Sequence, residues 1–248
     1  MLQISTPDKK IIPYHSKIIN NYLFVLNNIH PSLKNFNPIL SGSAAITFIF
    51  SPKSEYNDLD FYFSTEKDFN DASELLCKIE TPIFTQNSHT FKNLNCQLIK
   101  KFFLPPEKLI YDHDFINSSV AIQNDKVFTS LDTFKCWQNN ELSIRSFQLP
   151  EKHTPAEYLQ GVFRILLRIE KYLKRYNFSL SFESINLLKE IKKYTEKNIL
   201  ILNNKDILKE KIINYYGQLV YANIKPDQLI NKINTIVNLN NFSQEFTI

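Results

Sequence analysis

The sequence predicts an α+β protein, with a mixed β-sheet and its helices over residues 1–150 and an all-α region over residues 151–248. Three observations carry that reading. In the first part, short aromatic and β-branched runs alternate with helical patterns. At "QLPEKHTPAEYLQ" the character changes, because Thr154 suits an N-cap, Pro155 the first helical position and Glu157 the capping box. Helical patterns then run over about 155–176, 182–198, 205–222 and 226–239, parted by polar breaks such as "NFSLS", "LNNK" and "IKPD".

With 248 residues, 43% of them hydrophobic, the chain can bury a normal core as one large domain or two modest ones. A net charge of +4 is mild beside dedicated nucleic-acid binders and does not select a partner. Cys77, Cys96 and Cys136 are far apart and lack the Cys or His pairing that zinc needs, so they read as reduced core residues. The first residues lack the apolar core of a signal peptide, and no run approaches the roughly 20 apolar residues of a membrane span. A cytoplasmic setting without membrane contact is expected.

Taken in order, "HSKIINNYLFVLNNI" puts Ile18, Ile19, Tyr22, Leu23, Leu26 and Ile29 on one side of a helix. "NPIL" reads as a short buried strand that ends at Gly42-Ser43, and "AAITFIF" as a short helix closed by Ser51-Pro52. "DLDFYF" is a strand with both acids on one face. Thr65 caps a helix that buries Phe69, Ala72, Leu75, Leu76 and Ile79. β-prone runs follow from Thr81 to Phe103, then a short helix at "PPEKLI", a strand pair turning at Asn124-Asp125 and a helix start near Trp137.

The chemistry sits in "ILSGSAAITFIFSPKSEYNDLDFYF", residues 39–63. Asp58 and Asp60, two apart on a strand, project side by side and offer the hard oxygen ligands that magnesium prefers. Upstream, Gly42-Ser43 joins strand to helix, where a glycine lets the backbone approach a phosphate and the helix N-terminal amides point at its oxygens. An anion cradle facing a metal clamp suits phosphoryl or nucleotidyl transfer.

"LSGSAA…NDLDFYF" resembles the signature of the DNA-polymerase-β-like nucleotidyltransferase superfamily: an apolar residue, Gly-Ser, then Asp-x-Asp flanked by apolar residues. A second match, "YDHDFINSSVAI", is similar to the Arg-Arg-Asp-Phe-Thr-Ile-Asn-Ala segment of the poly(A) polymerase and CCA-adding branch, and "FRILLRIEKYLKRYNFSLS" is similar to that branch's neck helix. The resemblance, over roughly residues 37–180, implies a palm-like N-terminal domain and transfer of NMP from a nucleoside triphosphate to a hydroxyl, with an RNA 3′ end slightly favoured over a protein or small molecule. It implies Gly42 and Ser43 at the nucleotide phosphates and Asp58 and Asp60 as catalytic ligands of magnesium. It also implies Asp114 as part of the acidic set or near the sugar, Asn117 in the nucleotide site, and Arg164 and Arg168 facing the nucleotide from the neck helix.

Three residues depart from that pattern. Ala44-Ala45-Ile46-Thr47 stands where CCA-adding enzymes carry Arg-Asp, Asp112-His113 replaces the paired arginines, and the later strand offers Gln97 where many members supply a third acid. Either Asp112 or Asp114 substitutes, or two carboxylates suffice, or the chain is a catalytically silent relative that binds nucleotide or RNA or mediates an interaction. Arg164, Arg168, Lys171 and Arg175 form one basic stripe, which reads either as a solvated face or as a phosphate-binding one. Of the five histidines only His113 falls near a motif.

Overall fold

The computed structural model describes residues 2–4, 15–52, 55–145, 155–199, 208–213, 219–224 and 226–244. The chain divides into two compact units, Met1–Trp137 and Gln138–Ile248. The boundary expected near residue 150, like the Thr154 cap, lies outside the described residues.

The first unit comprises β1 (Leu2–Ile4), α1 (His15–Ile29), β2 (Ile39–Ser41), α2 (Gly42–Ile49), β3 (Leu59–Phe63), α3 (Glu66–Cys77), β4 (Ile83–Phe84), β5 (Ser88–Phe91), β6 (Cys96–Phe103), α4 (Pro106–Leu109), β7 (Val120–Gln123), β8 (Lys126–Thr129) and α5 (Leu131–Gln138). The strands form one sheet in the order β1-β8-β7-β2-β3-β6-β5-β4. Only the β3–β6 pair is parallel, a crossover that needs the intervening α3 and the β4–β5 hairpin.

Period-two alternation divides β3 between the two faces of the sheet. Leu59, Phe61 and Phe63 are buried, while Asp60 and Tyr62 are half-buried on the other side. α3 covers the apolar face. Its N-cap Thr65 accepts the Asp68 N–H at 3.1 Å, an arrangement worth about 1 kcal/mol. Phe69 meets the Phe63 ring edge-on at 5.9 Å, and Phe69, Ala72 and Leu76 are wholly buried. Removing a side chain such as Phe69 or Leu76 from water stabilises the fold by about 1.5–3 kcal/mol. On the opposite face α4 supplies Leu109, which with Ile110 packs on Ile39, Ala121 and Phe128.

The second unit comprises β9 (Glu141–Leu142), α6 (Pro155–Tyr176), β10 (Ser179–Leu180), α7 (Phe182–Ile199), β11 (Leu208–Ile213), β12 (Leu219–Ile224) and α8 (Pro226–Gln244). Helices α6, α7 and α8 dominate it, and α8 packs on both of the others. Val162, Leu166 and Ile169 of α6 and Leu229, Ile233 and Ile236 of α8 are buried, and Lys232 pairs with Glu170 at 2.7 Å.

The helix expected over 205–222 is corrected to an antiparallel hairpin, with β11 and β12 in register from Leu208↔Ile224 to Ile213↔Leu219. Its physical basis is composition: "LKEKII" ends in two β-branched residues and "LVYANI" is rich in β-branched and aromatic ones, which favour strands over helix. A helical spacing of the same apolar residues masked that preference. Among the described residues, no helix is long and apolar enough to cross a membrane.

Candidate active site on the sheet of the first unit

Register places a polar row across one face of the sheet. Ser41 of β2 is opposite Asp60 of β3, Asp60 is beside Gln97 of β6, and Gln97 is opposite Thr90 of β5. Paired residues point to the same side, so Ser41, Asp60, Gln97 and Thr90 line up together. Asp58 precedes β3 on the same phase as Asp60. Both aspartates are half-buried.

Gly42 begins α2 directly after β2, with φ +71. A side chain there would be strained whatever the space, and a Cβ would stand 2.6 Å from Asp60 Oδ2. The glycine therefore serves two needs at once, a left-handed turn and room for a carboxylate. It also sets Asp60 at the N-terminal end of a helix, where the first N–H groups lack intrahelical partners and carry partial positive charge.

Ser41 occupies the N-cap position of α2, with extended φ −138, but its hydroxyl does not cap the helix. It has one proton, and gives it to the Val120 carbonyl at 2.6 Å. Toward His113 Nε2, at 2.9 Å, the same oxygen therefore accepts, and Nε2 carries the hydrogen. The His113 ring also meets Tyr62 edge-on at 6.4 Å. On the other side of β3, Gln97 donates its amide N–H to Asp58 Oδ2 at 2.6 Å.

His113 and Asp114 lead into a short 3-10 turn, Ile116–Ser118, whose carbonyls are tied by side chains. Phe115 O accepts the hydroxyls of Ser118 and Ser119 at 3.0 and 3.3 Å, Ile116 O accepts Thr133 at 3.0 Å, and Asn117 O accepts Trp137 Nε1 at 3.0 Å. Asp112 is exposed and Asp114 half-buried, whereas Asn117 is wholly buried. Ser43 is half-buried in the first turn of α2. Arg164, exposed, and Arg168, half-buried, lie on α6 of the second unit.

The structure thus brings Gly42, Asp58 and Asp60 together, and adds Ser41, Gln97 and His113 as their polar neighbours. Among the described residues, no group of three or more His, Cys, Asp and Glu side chains gathers as a metal site. The contribution of Ser41 was not legible in the sequence, because its carbonyl partner is 79 residues away. Gln97 was legible only as an acid that was missing.

Next to Asp58 the burial of Cys96, with the charges of Glu80 and Asp58, pushes its thiol up to about 12. The thiolate is the nucleophile, so at pH 8 Cys96 stays protonated and unreactive. Iodoacetamide at that pH should alkylate exposed Cys77 and spare buried Cys96 and Cys136, read by peptide mass spectrometry. Alkylation of Cys96 as fast as Cys77 would show that the sheet is open beneath the aspartates.

Comparison with solved structures identifies the architecture. Similar in fold are the Thermotoga maritima CCA-adding enzyme complexed with tRNA, at TM-score 0.54 and 12% identity over 92% of this chain and 55% of that one. A tRNA-processing enzyme in an apo form gives 0.51 at 12% identity, over 84% and 58%. A CCA-adding enzyme in complex with CTP gives 0.50 at 11% identity, over 87% and 54%. The chain spans little more than half the length of these proteins, and the likeness is one of fold: that of the nucleotidyltransferases of CCA-adding type. No curated protein matches in sequence. The profile of one family, described as Gabija anti-defense 2 family protein, matches residues 13–140, just over half of the 248 and including Gly42, Asp58, Asp60, Gln97 and His113. By that match the chain belongs to the Gabija anti-defense 2 (Gad2) family.

Proposed function

We propose that this chain is a magnesium-dependent nucleotidyltransferase of the cytoplasm, transferring NMP from a nucleoside triphosphate to a hydroxyl acceptor. The observation that carries the reading is the Asp60 carboxylate set against Gly42 at the start of α2, with Asp58 two residues before it on the same strand. The donor set suits magnesium, which keeps several waters and takes one or two carboxylates plus substrate phosphates. Asp58 and Asp60 would hold the ion. When bound, it neutralises charge on the phosphates during transfer.

The chain's own groups divide the remaining work. Gly42 and Ser43 offer backbone amides and a hydroxyl to the phosphates, a role supported by the exposed first turn of α2. Ser41 and His113 hold that turn in place from the Val120 side. In the transfer, the acceptor oxygen bonds to the α-phosphorus, the bond to the β-phosphate breaks, and pyrophosphate leaves with the electron pair. The acceptor proton passes to the Asp58 carboxylate, which Gln97 orients by its amide N–H. Arg164 and Arg168 contribute guanidinium groups for phosphate, and Asp114 and Asn117 serve the nucleoside side, both roles resting on the motif resemblance.

The acceptor is sought among RNA 3′ ends, which the polynucleotide-type motifs favour, and the proteins of the Gabija system that the family description names. Incubating the chain and magnesium with each labelled NTP, total RNA and Gabija proteins should label one acceptor class and release pyrophosphate. Absence of both label and pyrophosphate with all four NTPs would overturn the enzymatic reading. A second reading, a silent relative that binds nucleotide, is favoured by Gln97 standing where a third acid is usual. It gives a magnesium-dependent thermal shift with NTP and no pyrophosphate.

A further inference from the structure

We propose that Gln97 makes this a one-cation site, in which the only divalent ion held by the protein is the one that accompanies the triphosphate. The inference rests on the nucleotidyl-transfer reading and deepens it. Its basis is the β6 side of the aspartate pair. Gln97 is the register partner of Asp60, and its Nε2–H points at Asp58 Oδ2 over 2.6 Å. An N–H group turns the positive end of its dipole outward, so β6 presents Asp58 with a donor where a second ion would need another anionic oxygen.

Charge counting leads the same way. Two divalent ions bridged by one pair of carboxylates repel with the product of their charges, and a site of this kind holds them about 3.5–4 Å apart only with enough anionic ligands to offset that repulsion. Asp58 and Asp60 balance one ion. Among the described residues no third acid, histidine or cysteine joins them in a metal-holding group. On the opposite flank of Asp60, Ser41 spends its proton on Val120 and accepts from His113 Nε2, so that side contributes no negative charge either. The phosphates would enter from the α2 end, at Gly42, which assigns the single ion to that side of the pair.

The test counts ions rather than turnover. Wild type and Gln97→Glu, each with one equivalent of an α,β-methylene ATP analogue, are titrated with manganese(II), and free manganese is read by electron paramagnetic resonance; melting temperature reports whether the analogue binds. The expected result is one manganese per wild-type chain, two per Gln97→Glu chain, and a higher melting temperature for both with manganese and analogue. Two ions on the wild type would overturn the one-cation proposal and leave nucleotide transfer standing. One ion on a folded Gln97→Glu chain would overturn the role given to Gln97. No thermal shift in the wild type would overturn both the proposal and the reading it rests on. The wild-type count decides by itself if Gln97→Glu does not fold.

Discussion

Replacing Asp60 by Asn should lower nucleotide transfer by about a thousandfold while the chain stays folded. The substitution keeps the shape that fits against Gly42 and removes only the charge. In the proposed reaction that charge is one of two anionic ligands for magnesium, so its loss falls on the transition state, where phosphate charge is being redistributed. Stability should move the other way or not at all. Asp58 and Asp60 are like charges on one face of a strand, and such pairs repel by a few tenths of a kcal/mol to about 1 kcal/mol. Pyrophosphate release and a melting curve, measured on the same preparation, check both halves. Wild-type turnover in Asp60→Asn would remove the carboxylate pair from the mechanism; a large fall in melting temperature would make the aspartate a structural residue.

Gly42→Ala should be damaging twice over, and the two effects separate cleanly. The left-handed backbone, φ +71, costs a residue with a Cβ about 1–2 kcal/mol. That cost is local and independent of Asp60. The new methyl also falls 2.6 Å from Asp60 Oδ2, so the carboxylate must rotate away from the start of α2. Transfer should drop by about a hundredfold, because misplacement of a catalytic group by about 1 Å has that scale of effect. In an Asp60→Ala background the clash disappears and Gly42→Ala should cost only the backbone part, measured by urea denaturation. The difference between the two backgrounds is the contact energy. Equal costs in both would mean that Gly42 answers to the turn alone.

Much of the first unit was legible because its signals are local. The cap at Thr65, the proline at the start of α4, the turn at Asn124-Asp125 and the alternation in "DLDFYF" each fix an element within a few residues. The aspartate pair and the glycine that faces it were legible for the same reason, being joined by one short helix and loop. What was hidden is everything that pairing over long separations creates. Ser41 meets Val120 and His113 only because β2 and β7 are neighbours, and Gln97 reaches Asp58 only because β6 lies parallel to β3. The hairpin over β11 and β12 was misread for a different reason: its apolar residues satisfy helical spacing, and branching at Cβ decided the outcome.

The alternation of β3 has a consequence for which changes of chain length the site can survive. Asp60 faces the nucleotide side because it is out of step with Leu59, Phe61 and Phe63, not because of its distance from Gly42 along the chain. One residue inserted within Leu59–Phe63 would invert the phase, sending a carboxylate into the packing under α3 and two phenylalanines into water. Insertions between Ile49 and Asn57 leave the phase intact, so the linker between the glycine and the acids is free to drift in length. That freedom makes fixed spacing a poor search pattern for relatives of this site, and odd-even phase a good one.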